Sequence, residues 1–103
     1  MKPFVLDLSV EDDRQRIPIL TVANAMKMKS GMVILHRGEE VGTHSTGEME
    51  EMILVLEGKA TVQIDGKVFS EVPAGSVAYI PSGTSHNVIN RENASLHYVY
   101  ILS

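Results

Sequence analysis

The chain has 103 residues, with nine basic against thirteen acidic side chains, a net charge of −4 and no cysteine. That length suits one domain with a core of its own, to which a second copy would add useful burial. The acidic balance argues against nucleic acid and anionic membranes as partners, and the missing cysteines exclude disulfides and thiol nucleophiles.

Residues 1–30 read as an N-terminal extension. The start, MKPFVLDLSVEDD, lacks the long apolar stretch of a secretory signal. The mixed-charge patch Glu11 to Arg16 reads as a solvated loop, and Pro18 interrupts any long helix. The segment Ile19 to Met28 is apolar enough to add an edge strand or to contact a second subunit.

From residue 31 to residue 103 the chain is a series of short runs rich in Val, Ile, Thr and Tyr, punctuated by glycine. This is the pattern of an all-β sandwich or barrel. In the run Glu51 to Leu56, period-2 alternation puts Ile53 and Val55 on the side of Glu51, and Met52, Leu54 and Leu56 on the other. Both sides are apolar and need cover, which points to a second sheet or a homodimer contact. Its apolar core, Met52 to Leu56, is far too short to cross a bilayer, and a soluble cytoplasmic protein is expected. Next, Ala60 to Ile64 alternates, Asp65-Gly66 is a two-residue turn of type I′, and Lys67 to Phe69 is the returning strand. Val62 and Ile64 should face the core of this hairpin, with Thr61 and Gln63 in solvent.

Two segments carry the chemistry. The first holds Gly38, His44, Glu51 and Gly58; the second reads G-x5-P-x-G-x2-H-x3-N through Gly75, Pro81, Gly83, His86 and Asn90. Such a pair can bring His44, Glu51 and His86 to one point, and two imidazoles with a carboxylate suit a divalent transition metal. Glu50 should face away from Glu51. His36 and His97 read as ordinary strand or loop histidines, Tyr79, Tyr98 and Tyr100 as barrel wall, and Asn90 as a tie at a strand end.

Together the segments resemble the paired motifs of the cupin superfamily, G-x5-H-x-H-x3,4-E-x6-G and the second pattern as it stands. The chain matches every fixed position but one, where Thr46 stands in place of the second histidine. The resemblance covers Gly38 to Asn90. It implies a double-stranded β-helix, or jelly-roll barrel, of six to eight strands with a metal site in its mouth. It also implies a bound Fe, Mn, Ni, Cu, Co or Zn ion on His44, Glu51 and His86, with Thr46 turned to a substrate or to water. A site of two imidazoles and one carboxylate leaves open positions, as in non-haem Fe(II) oxygenases. The leading expectation is therefore a metal-dependent enzyme, such as a dioxygenase, acting on a small organic molecule. The alternatives are metal-dependent isomerase or lyase chemistry and a non-catalytic module that binds a sugar or an organic acid.

Overall fold

Alternating apolar residues and positive-φ turns fold this chain into two antiparallel sheets packed face to face. The computed structural model describes residues 1–9 and 15–103. Its strands are β1 Arg16–Leu20, β2 Lys29–Leu35, β3 His44–Ser45, β4 Glu51–Glu57, β5 Lys59–Ile64, β6 Lys67–Pro73, β7 Val77–Ile80, β8 Ser85–Ile89 and β9 Leu96–Leu102. One sheet runs β1-β2-β9-β4-β7 and the other β3-β8-β5-β6. The described residues thus hold nine strands, rather than six to eight, because β1 and the two-residue β3 extend the sheet edges. They contain no helix, so none is long and apolar enough to cross a membrane.

The core lies between the sheets. Val33, Leu35, Ile53, Val55, Leu96 and Tyr98 of the larger sheet meet Ala60, Val62, Val72 and Val88 of the smaller one. The hairpin turn is as read: Asp65 and Gly66 have φ of 51° and 78°, the two positive values that type I′ requires. Its returning strand runs on to Pro73, with a bulge opposite Val62/Gln63.

The exposure expected for Thr61 is wrong. Its side chain is only 2% exposed, and Gln63 is half-buried. β5 is an interior strand, so Thr61 has Glu71 opposite it on one side and Ile89 on the other. A small side chain between two larger ones is shielded even on an outer face.

Glu11 to Arg14 lie outside the described residues, but Arg16 belongs to a strand rather than to a loop. Pro18 is accommodated there because β1 is an edge strand and carries a bulge between Pro18 and Leu20. Ile17 and Ile19, together with Leu8, cover Met32, Ile34 and Val99 on the outer face of the larger sheet. Farther along that face Met52, Leu56, Val77 and Tyr79 stay exposed.

Gly58, the last residue of the first motif, has φ +81° where the chain turns from β4 into β5, and a Cβ there would lie 2.5 Å from the Ser95 carbonyl oxygen. Gly66 also has positive φ but nothing within 4 Å of such a Cβ. Gly66→Ala should therefore lose only the backbone preference, about 1–3 kcal/mol, and Gly58→Ala should lose clearly more. Urea unfolding of the two variants checks this, and equal losses would show that the approach to Ser95 is unimportant.

Candidate metal centre

His44 in β3 stands directly opposite His86 in β8. Directly opposed residues of an antiparallel pair point to the same face, and the two imidazole rings lie 4.2 Å apart, tilted by 55°. Glu51 opens β4 in the other sheet. The sandwich thus supplies two imidazoles from one layer and a carboxylate from the other, with one ligand atom from each within 4.8 Å of the others.

Backbone carbonyls orient both rings. His44 Nδ1 lies 2.8 Å from the Gly42 carbonyl oxygen, and His86 Nδ1 lies 3.0 Å from that of Thr84. A carbonyl can only accept, so each Nδ1 carries a proton, and in the neutral ring each Nε2 presents a lone pair to the cluster. His86 is wholly buried, and its Nε2 has no hydrogen-bond partner among the described residues. It lies 3.4 Å from Glu51 Oε2, close enough for attraction but outside good hydrogen-bond geometry. With His86 neutral, two acceptors would face each other in a buried site, an unfavourable arrangement unless a cation or a proton lies between them. A divalent metal fits that requirement, and the donors are of the type that first-row transition ions accept.

A proton is the competitor. The Glu51 carboxylate raises the pKa of His86 above the ordinary imidazole value, against the opposing effect of burial, with the Thr84 carbonyl adding to the rise. In the metal-free protein the His86–Glu51 pair therefore adds stability fully below about pH 6.5, and loses it as pH rises through the raised value.

Thr46, the departure from the motif, is buried. Its hydroxyl donates to the Pro81 carbonyl at 2.7 Å and accepts from Thr84 N–H at 3.0 Å, and its own N–H donates to the Thr84 carbonyl at 3.2 Å. It thus clamps the turn whose Thr84 carbonyl orients His86. What it can still offer a ligand is one lone pair and a methyl group.

A cavity of about 180 Å³ opens beside the cluster, with Arg16, His44, Thr46, Glu51, Tyr98 and Tyr100 on its wall. Burial, and then the Glu51 charge, push the Tyr98 hydroxyl well above its ordinary pKa, so it stays protonated. Tyr79 is instead on the outer face, where its hydroxyl donates to Glu50. Glu50 and Glu48 are exposed and outside the cluster. His36 bonds Ser95, and His97 pairs with Glu57 at 3.8 Å. Asn90 is fully buried and donates to the carbonyls of Leu35 and Ala94, while its Oδ1 accepts from Glu92 N–H.

Four contributors escaped the reading of the sequence. The Gly42 and Thr84 carbonyls carry no side-chain signal. Asn87, whose Oδ1 accepts from Gly42 N–H at 2.9 Å and so holds the loop before His44, was visible only as a polar residue in a strand. Arg16 sits far from both motifs in sequence.

A family model described as "Cupin domain" matches residues 31–102. No curated protein matches the sequence. Among solved structures, the protein BH2720 of Bacillus halodurans is 24% identical with a TM-score of 0.84, over 98% of this chain and 80% of that one. A cupin family protein with a double-stranded β-helix fold from Methanocaldococcus jannaschii is 14% identical, with a TM-score of 0.78 over 98% of this chain and 88% of that one. A protein of Thermotoga maritima, described as a predicted oxalate decarboxylase, is 27% identical with a TM-score of 0.67, over 72% of this chain and 64% of that one.

Thr46→Val keeps the shape of the side chain but leaves the Thr84 N–H without its acceptor and Pro81 without its donor. It should destabilise the protein by about 1–3 kcal/mol in urea unfolding. An unchanged midpoint would show that the clamp does not matter.

Proposed function

Because the chain belongs to the cupin family, we propose that it is a metal-dependent enzyme of the dioxygenase type, acting on a small organic substrate, with His44, Glu51 and His86 as the metal ligands. The observation that carries this reading is the wholly buried, unpartnered Nε2 of His86, facing Glu51 across 3.4 Å. A bound Fe, Mn, Ni, Cu, Co or Zn ion would supply Lewis acidity and, for the redox-active ones, electron transfer. The remaining work falls to the chain. Val33, Val41 and Val88 make the cavity wall apolar and limit water, Tyr98 holds a proton as a neutral donor, and Thr46 bounds the space left for substrate. The size of the cavity supports a compact substrate, well below the roughly 300–1,000 Å³ of pockets for drug-sized ligands.

One observation favours lyase chemistry as the second reading: the Thermotoga maritima neighbour is described as a predicted oxalate decarboxylase. A non-catalytic module binding a sugar or an organic acid is the third, and absence of turnover by the metal-loaded protein across catechols, diketones and small organic acids would favour it.

Metal content after loading and dialysis tests the site itself. The wild type should retain about one ion per chain, and His44→Ala, Glu51→Gln and His86→Ala should each lose most of it; full stoichiometry in these variants would remove the proposed ligands. Because a proton on His86 excludes the metal, affinity should fall as pH drops through the raised His86 value, beginning above the ordinary value of about 6.5. Metal content unchanged down to pH ~5 would contradict this.

The chain is further taken to form a homodimer through the exposed part of the larger sheet, where Met52, Leu56, Val77 and Tyr79 leave an apolar face uncovered. Leu56→Lys changes an exposed position and should shift the sedimentation coefficient from dimer to monomer without lowering stability. A wild type that sediments as a monomer at working concentration would dispose of the dimer.

A further inference from the structure

Arg16 lies outside the stretch matched by the family model, yet it reaches the candidate centre. It stands opposite Val33 in β2, and Val33 stands opposite Tyr98 in β9. Val33 and Tyr98 are core residues, so Arg16 extends the inward-facing row of the larger sheet onto its edge strand. Its neighbour Ile17 faces the other way, into the outer cluster. The side chain of Arg16 therefore projects over the mouth of the barrel. There it forms part of the wall of the central cavity and of a second depression lined by Val41, Gly42, Thr43 and His44. Arg16, Val41 and His44 are common to both, so a guanidinium and an imidazole border both spaces.

Among the described residues the charges around this point are unbalanced. From β4 the cavity receives one carboxylate, Glu51; from β3 it receives His44, and from β9 the hydroxyls of Tyr98 and Tyr100. Glu51 is engaged with His86, and no carboxylate among the described residues lies within ion-pair distance of Arg16. A divalent ion held by one carboxylate keeps one positive charge, and Arg16 adds a second. The missing complement is an anion. A guanidinium matches a carboxylate in a planar, bidentate fork, and a cavity of about 180 Å³ suits a small organic acid.

We propose that Arg16 is the anion-anchoring residue of this cavity: it binds a carboxylate of a small organic acid, while the same molecule directs a second oxygen toward the His44–Glu51–His86 cluster. This rests on the metal-dependent reading for the second oxygen alone; the carboxylate–Arg16 contact needs no metal. It names the substrate class as small carboxylic acids and assigns its recognition to an edge strand outside the motifs.

Malonate, with uncharged malonamide as the control of similar shape, tests it. In cobalt-loaded protein, malonate should change the visible absorption saturably. Arg16→Gln should weaken malonate by about tenfold or more with cobalt stoichiometry unchanged, Arg16→Lys should recover part of the loss, and malonamide should bind weakly and equally to all three. Equal malonate affinity in the wild type and Arg16→Gln, or no malonate response in the wild type, overturns the proposal. If the wild type takes up no cobalt, the metal reading fails by itself. The anchor is then read in metal-free protein by nuclear magnetic resonance: malonate, but not malonamide, should shift the Arg16 side-chain and His44 amide signals saturably, and their silence overturns the proposal.

Discussion

At the centre of this protein the buried Nε2 of His86 and a carboxylate oxygen of Glu51 face each other at 3.4 Å. Neither can satisfy the other as a neutral imidazole and an anion, and the interior offers no second partner for His86 Nε2. The pair demands a positive charge between its members, and His44 Nε2 stands within reach to share it. The two sheets make this possible by delivering unlike groups from opposite sides. β4 brings the carboxylate on a strand whose other inward residues, Ile53 and Val55, are fully buried, while β3 and β8 bring the imidazoles as a directly opposed pair.

The rings are held by backbone rather than by acidic side chains. Gly42 and Thr84 each lend a carbonyl to an Nδ1–H, and these carbonyls are themselves fixed: Gly42 through Asn87, Thr84 through Thr46. A neutral carbonyl settles the tautomer without adding a negative charge to the surroundings. Thr46 acquires its meaning in this setting. Where the family motif has a second histidine, this chain has a residue whose hydroxyl ties the two motif segments to each other, and three candidate donors, His44, Glu51 and His86, remain in the cluster.

The cavity draws on more of the chain than the motifs do. Tyr98 and Tyr100 enter from the last strand and Arg16 from the first, so the groups that would read a ligand come from both ends of the described barrel. The N-terminal segment has a double role. Leu8, Ile17 and Ile19 cover part of the outer face, and Arg16, adjacent to Ile17, turns inward because successive residues of a strand point to opposite sides.

Much of this was legible in the residues. Runs of Val, Ile, Thr and Tyr between glycines marked the all-β class, period-2 alternation gave the inward side of the runs that became β4 and β5, Asp65-Gly66 identified its turn, and the spacing of Gly38, His44, Glu51, Gly58 and Gly75 to Asn90 marked the cluster; a turn needs particular φ values and a strand face needs every second residue. Other features depended on neighbours distant in sequence. The burial of Thr61 follows from Glu71 and Ile89 beside it, the place of Arg16 from the register of β1 on β2, and the engagement of the Thr46 hydroxyl from the turn beginning at Pro81. The sequence by itself determined which side chains can ligate a cation and that the chain is all β. Only the tertiary structure decided which lone pairs converge and which cation overlooks the cavity, since those depend on how two sheets are stacked and registered across many residues of intervening chain.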